Sequence, residues 1–236
     1  LSEAVRLIGE SKKPFVIWGQ GVILGQAEKE FKDFIEKSGI PAAWTILGLS
    51  ALPTAHPSNR GMVGMHGNYA TNLLTNECDL LIAVGMRFDD RVTGDLKTYA
   101  KQAKVIHLEL DPAEVNKNVK DDVTLLCDCK ISLQALTNKI STKKYPMWIK
   151  RFDDLDTIEK EKVIHGDLNP TKPGLTMGES IEMINKHSDG DAIIVTDVGQ
   201  HQMVACRYAK FNQSKSNVTS GGLGTMGFAL PAAIGA

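Results

Sequence analysis

Short apolar runs alternate with helix-length amphipathic segments over the first two thirds of this chain, and that alternation limits its fold more than any single motif does. Phe15-Val-Ile-Trp-Gly-Gln-Gly21 is an apolar run ending in glycines, the pattern of a strand buried on both faces. Pro41–Leu47, Leu80–Gly85, Lys104–Asp111 and Val123–Cys127 are further strand candidates. Between them, Gln26–Gly39 carries Phe31, Phe34 and Ile35 at helical spacing, with Gly39 placed as a C-cap. Ala70–Cys78 and Lys130–Ile140 read as two more helices. The pattern predicts an α/β fold, a doubly wound and mostly parallel sheet covered on both faces, as a Rossmann-like unit over residues 1–145.

Ser141–Leu175 breaks the alternation. Lys, Asp, Glu and Pro dominate it around a helical stretch near Trp148–Val163, and residues 146–175 are expected to link two units. A second α/β unit is expected over 176–236. Thr176–His187 reads as a helix whose buried face carries Met177, Ile181 and Ile184; Ala192–Asp197 reads as a strand and Gly199–Ala209 as a helix, followed by the glycine-rich tail Ser220–Ala236. The tail ends inside an apolar helix and residue 1 is not Met, so the chain is expected to belong to a longer protein, with its second unit incomplete.

With 27 basic and 28 acidic residues and a net charge of −1, nothing steers the chain to nucleic acid or an anionic membrane surface. No apolar run approaches the roughly 20 residues of a membrane span. Cys127 and Cys129 lie two apart in what reads as a strand and would share a face. Without C-x-x-C pairs, the four cysteines are expected to be reduced thiols of a cytoplasmic protein rather than metal ligands.

A doubly wound sheet places ligands at the C-terminal ends of its strands. Gly19-Gln-Gly-Val-Ile-Leu-Gly25 follows a strand and precedes a helix, but its spacing departs from the dinucleotide fingerprint, and a plain turn is as good a reading. Gly64-Met-His-Gly-Asn68 could meet a ligand or close a turn. Gly85-Met-Arg-Phe-Asp-Asp-Arg-Val-Thr93 offers two arginines for phosphate or carboxylate, or else neutralises itself. Glu109 could accept from a ribose, while Asp111 before Pro112 suits a helix cap. Asp197-Val-Gly-Gln-His-Gln-Met203 and Gly221-Gly-Leu-Gly-Thr-Met-Gly227 would together offer backbone and side-chain donors to a diphosphate.

Gly61-Met-Val-Gly-Met-His-Gly67, Gly85-Met-Arg-Phe-Asp-Asp-Arg-Val-Thr-Gly-Asp95, Asp197–Met203 and Thr219–Ala236 resemble, in order and spacing, the acetolactate synthase (acetohydroxyacid synthase) family of thiamine diphosphate-dependent carboligases. The resemblance spans nearly the whole chain. It implies a central FAD-binding domain followed by the start of a thiamine diphosphate-binding domain. It further implies that Gly19 and Gly21 line the flavin diphosphate, and that Thr45, Ile46 and Leu47 back the flavin. Met65, His66 and Gly67 would flank it, with Met65 facing the substrate channel. Gly85, Arg87 and Asp89 would hold its phosphate and ribitol region, and Glu109 and Asp128 would lie near the adenosine end. Arg91 resembles the arginine that binds the carboxylate of the second 2-oxo acid. Val198, Gly199, Gln200 and His201 would meet thiamine diphosphate, and Gly224 and Met226 would hold its aminopyrimidine ring. Arg91, Met65 and Met226 would thus serve the chemistry.

The implied reaction joins pyruvate to pyruvate or 2-oxobutanoate with loss of CO₂. Mg²⁺ ligands would lie past Ala236, and a homodimer or homotetramer with a small regulatory subunit is implied. Two residues depart from the family pattern: Cys127 stands where glycine is usual, and Val204 where Trp is usual. Glyoxylate carboligases, pyruvate oxidases or a non-catalytic nucleotide-binding module are the alternatives, and the Arg-Phe-Asp-Asp-Arg and Gln-His-Gln-Met runs favour the synthase.

Overall fold

The computed structural model describes residues 1–171 and 173–236. Six strands, β1 (Pro14–Trp18), β2 (Ala42–Trp44), β3 (Asn59–Met62), β4 (Leu80–Val84), β5 (Lys104–Glu109) and β6 (Val123–Leu126), form one sheet ordered β3-β2-β1-β4-β5-β6. Every neighbouring pair is parallel. β1 and β4 run in continuous register from Pro14 opposite Leu80 to Trp18 opposite Val84, and every residue of both is buried, which is why they read as unbroken apolar runs. Strand order reverses between these two strands, so their C-terminal ends bound a crevice.

The first-unit helices are α1 (Ser2–Glu10), α2 (Gly21–Leu24), α3 (Glu28–Ser38), α4 (Tyr69–Thr75), α5 (Asp90–Thr93) and α6 (Cys129–Lys139). α3 packs on α6, burying Phe31, Phe34 and Ile35. It ends at Gly39, whose N–H still reaches the Ile35 carbonyl and whose φ of 66° then turns the chain out of the helix. β2 is shorter than expected because the chain turns at Thr45, where the Gly48 N–H donates to the Thr45 carbonyl. Cys127 and Cys129 do not share a strand face. β6 stops at Leu126, and Asp128 caps α6 by accepting the Lys130 N–H, so Cys129 begins a helix.

Residues 146–168, expected as part of a linker with a helical stretch near Trp148–Val163, are helical, and the first of these helices packs on the core. α7 (Pro146–Glu159) runs into a π-helical turn over Lys160–Ile164 and then α8 (His165–Leu168). α7 lies against α4. It buries Trp148, Phe152 and Leu155, with the Phe152 ring 5.2 Å from those of Phe15 and Trp148. The Trp148 indole N–H donates to the Pro14 carbonyl at 2.8 Å, so the buried ring leaves no unpaired donor.

In the second unit, β7 (Ile194–Thr196) and β8 (Asn217–Thr219) pair in parallel, and α9 (Met177–Ser188), α10 (Gln200–Tyr208) and α11 (Ala229–Gly235) surround them. α9 starts in a capping box between Thr176 and Glu179. Its expected buried face is displaced. Met177 and Ile184 are exposed, Ile181 is partly buried, and Gly178 and Asn185 are the covered positions. Asn185 holds the end of α10 against this row, donating to the Tyr208 carbonyl and accepting the Lys210 N–H. Among the described residues no helix is long and apolar enough to cross a membrane.

Candidate functional site

At the crevice the loops after β1 and β4 lie backbone to backbone. The Gly19 N–H donates to the Val84 carbonyl at 2.9 Å and the Gly21 N–H to the Gly85 carbonyl at 3.0 Å. A Cβ on Gly21 would stand 2.6 Å from Gly85 Cα, so this glycine is required by the neighbouring loop whether or not a ligand is present. These loops floor a cleft of about 640 Å³, inside the rough 300–1,000 Å³ range of small-molecule sites. Gly19, Gly21, Thr45, Leu47, Gly85, Arg87, Glu109 and Asp128 all line it, with Cys127.

The acidic side of this cleft is partly self-satisfied. Glu109 Oε1 accepts the Leu110 and Asp111 N–H groups at 2.8 and 3.1 Å, and Asp128 is occupied in capping α6. Asp111 caps only a turn, accepting the Ala113 N–H. Glu114, also on the cleft, has a buried Oε2 with no hydrogen-bond partner. Cys129 lies beneath the loop with Sγ 3.0 Å from the Gly21 carbonyl; burial, with Asp128 adding to it, pushes the thiol up to about 12, so it is not a nucleophile near neutral pH.

A second cleft, of about 460 Å³, adjoins the first, sharing Arg87, Gly221 and Gly222. Ile46, Met65, His66, Asp89, Arg91, Val198, Gly199 and Gly224 line it. Two of its loops are tied to each other: the Met65 N–H donates to the Arg91 carbonyl at 2.8 Å, and the Asn72 amide grips Gly64 at both N–H and C=O. Asp89 caps α5 through the Arg91 N–H. The Arg91 side chain is 72% exposed, 4.0 Å from Asp90, with Nη1 3.9 Å from the Met65 sulfur. Arg87 is 3.6 Å from Asp89 and also exposed. Each arginine thus meets a loop aspartate, at 3.6 and 4.0 Å, and still keeps donors free for an anion.

On the far wall Gly199 precedes α10, whose first N–H groups lack intrahelical partners and favour an anion. Asp197, whose individual role was not foreseen, anchors the glycine-rich tail: its two oxygens accept the Gly227 N–H at 2.9 and 2.8 Å. The Val198 N–H, opposed by partial burial and joined by Gly227, holds this carboxyl below its usual range. Gly224 has φ 62° and open space around it.

Four expected residues line neither cleft. Gly67 packs on the Met62 carbonyl, which a Cβ would meet at 2.6 Å. Gln200 and His201 are exposed on the first turn of α10, and Met226 stands 80% exposed in the tail. Asn72 was missed because its role depends on a contact eight residues back that no local pattern announces.

The chain matches the family model of the thiamine pyrophosphate enzyme central domain over residues 1–136, and that of the C-terminal TPP-binding domain over 197–236. It is similar to the acetolactate synthase large subunit of Lactococcus lactis, 43% identical over 238 residues, covering 100% of this chain and 40% of that protein. It is 40% identical over 243 residues to the chloroplastic acetolactate synthase 1 of Nicotiana tabacum (100% of this chain, 35% of that protein). It is likewise 40% identical over 241 residues to the probable acetolactate synthase large subunit of Methanocaldococcus jannaschii (100% and 41%). The chain thus spans 35–41% of the length of these relatives. Because the central-domain match takes in all six sheet strands together with the loops of the crevice, the chain belongs to the thiamine pyrophosphate enzymes.

Proposed function

We propose that this chain is the central and early C-terminal region of a carboligase that joins pyruvate to a second pyruvate or to 2-oxobutanoate, releasing CO₂, to give acetolactate or acetohydroxybutanoate. Alignment over all of the chain with relatives named acetolactate synthase, at 40–43% identity, carries the reading.

The first cleft fits FAD in size and chemistry. Glycine backbone and Arg87 suit a diphosphate, and the partnerless Glu114 oxygen needs a donor such as a nucleoside hydroxyl or amine supplies. The second cleft fits thiamine diphosphate and substrate: the N-terminus of α10 with Val198 and Gly199 would hold the diphosphate, and Gly224 leaves space for a ring beside the backbone. Thiamine diphosphate, when bound, supplies the electron sink for decarboxylation and carbon–carbon bond formation. Arg91 would orient the acceptor through its carboxylate, because a planar fork fixes both oxygens. Met65, beside that guanidinium, would shape the acceptor pocket and keep water from it. Gln200, His201 and Met226 would meet ligand where a second subunit closes over them, in a homodimer or homotetramer with a small regulatory subunit. Mg²⁺ would be bound by residues outside this chain.

The test is product analysis of the full-length enzyme with pyruvate and added cofactors. Acetolactate formation, with KM for the acceptor raised at least tenfold in Arg91→Ala, is expected. Consumption of O₂ with pyruvate and no acetolactate would reassign the chain to a flavin oxidase. FAD titration, with binding weakened in Arg87→Ala, tests the first cleft separately.

A further inference from the structure

Behind the loop that carries Arg87 lies a buried polar network that the clefts themselves do not use. The loop is strained: Phe88 holds φ 54°, a conformation bulky residues rarely adopt and which persists only where the surroundings enforce it. The carbonyls on either side of Arg87 are both held from behind. His107 Nε2 lies 2.8 Å from the Met86 carbonyl, and the Asn118 amide donates to the Phe88 carbonyl at 2.8 Å. The buried Phe88 ring meets the His107 ring edge-on at 5.0 Å.

His107 is fully buried on β5, and its Nδ1 lies 3.2 Å from Asp121 Oδ2. That oxygen also accepts from the Thr124 hydroxyl, and the Asp121 N–H donates to Asn116. Both ring nitrogens therefore face acceptors. Against an ionised Asp121, a neutral imidazole with its one N–H would set a lone pair against an acceptor at one contact; two ring protons satisfy both. Asp121 and Glu109, the latter 3.6 Å from Nε2, are the charged groups facing the ring. Burial is the strongest influence and opposes the charge, but Asp121, the Met86 carbonyl and Glu109 together raise the imidazole above its ordinary value.

We propose that His107, held as a buried imidazolium by Asp121, is a positioning residue that with Asn118 fixes Met86–Phe88 and so sets where Arg87 stands between the two clefts. Arg87 is exposed and only loosely paired, so its backbone must be set in advance if binding is not to bear the cost of ordering it. Only the consequence for FAD rests on the reading of the first cleft.

The test combines nitrogen NMR of labelled histidine with hydrogen exchange on the whole protein. His107 is expected to carry both protons at pH 6 and to lose one only above the ordinary histidine value of about 6.5. Because the folded value is raised, protection of residues 86–92 is complete below that ordinary value and falls as pH climbs through the folded one. His107→Gln and Asn118→Ala are each expected to speed exchange of residues 86–92 about tenfold and to weaken FAD binding by a similar factor. Asn118→Ala decides the matter if His107→Gln fails to fold. A singly protonated ring at pH 6, or unchanged exchange in Asn118→Ala, overturns the proposal. A wild-type protein that binds no FAD but shows the imidazolium and the exchange pattern overturns the cofactor reading alone.

Discussion

The two clefts share Arg87, Gly221 and Gly222 yet are built in opposite ways. The first is floored by the ends of a six-stranded sheet, its loops packed at Gly21 and Gly85 and braced by His107. The second takes its outer wall from the loops that follow β7 and β8, from α10, and from a tail whose Leu223 is 93% exposed. A complete sheet fixes its ligand loops before any ligand arrives. A wall of tail and helix ends leaves more of that order to be acquired on binding.

The largest expected effect probes the core packed on the six-stranded sheet. Phe152→Ala removes a ring packed on Phe15 and Trp148 and should cost about 3–5 kcal/mol in urea unfolding. Ile184→Ala, on the exposed side of α9, should stay within about 0.5 kcal/mol. Equal losses would break the contrast between the regions.

Next is the loop contact. Gly21→Ala forces a methyl against Gly85 Cα and should cost about 1–3 kcal/mol and abolish flavin binding. Gly222→Ala meets nothing within 4 Å and should leave stability unchanged, so any loss of binding there reports ligand rather than protein contact. Paired titrations with FAD separate the two, and a silent Gly21→Ala would remove the argument that the loop is preset.

What was legible in the sequence follows from how each part is stabilised. β1, β4 and β5 are apolar runs because they are buried on both faces, and Gly39 marks the end of α3 through its own backbone conformation. β3 was missed because it is an edge strand in which only Met62 is buried. α1 was missed although Ala4 and Ile8 stand four apart on its buried side. The helix of α7 was legible, but its packing on the core was hidden by its many charged residues; Trp148 and Phe152, at i and i+4, were the available signal. In the site, the strand-end loops were visible as glycine clusters. His107 was hidden inside an apolar strand, and its partners come from positions 86 and 121.

A smaller effect concerns the start of the second unit. Thr176→Ala deletes the acceptor of the Glu179 N–H and should cost about 1 kcal/mol, read as fraying of α9 by hydrogen exchange. Thr176 also donates to the Asp167 carbonyl, so fraying that spreads into α8 would show the two helices acting as one unit.

The most local effect is at Asp197, and it is a matter of pH. Its carboxylate accepts backbone N–H groups from Val198 and Gly227, so its folded value lies below the unfolded value of about 3.9. A group lowered on folding lends its support above the unfolded value and loses it as pH falls through the folded one. The Gly227 amide should therefore remain protected down to about pH 4 and become exposed in stronger acid, while β1 and β4 amides keep their protection. Asp197→Asn leaves an acceptor but no charge and should loosen the tail wherever the wild-type carboxylate is ionised, and remove the dependence on acid. If Gly227 exchanges freely at pH 7 in the wild-type protein, the tail is not held by Asp197, and the second cleft has no fixed outer wall until ligand supplies one.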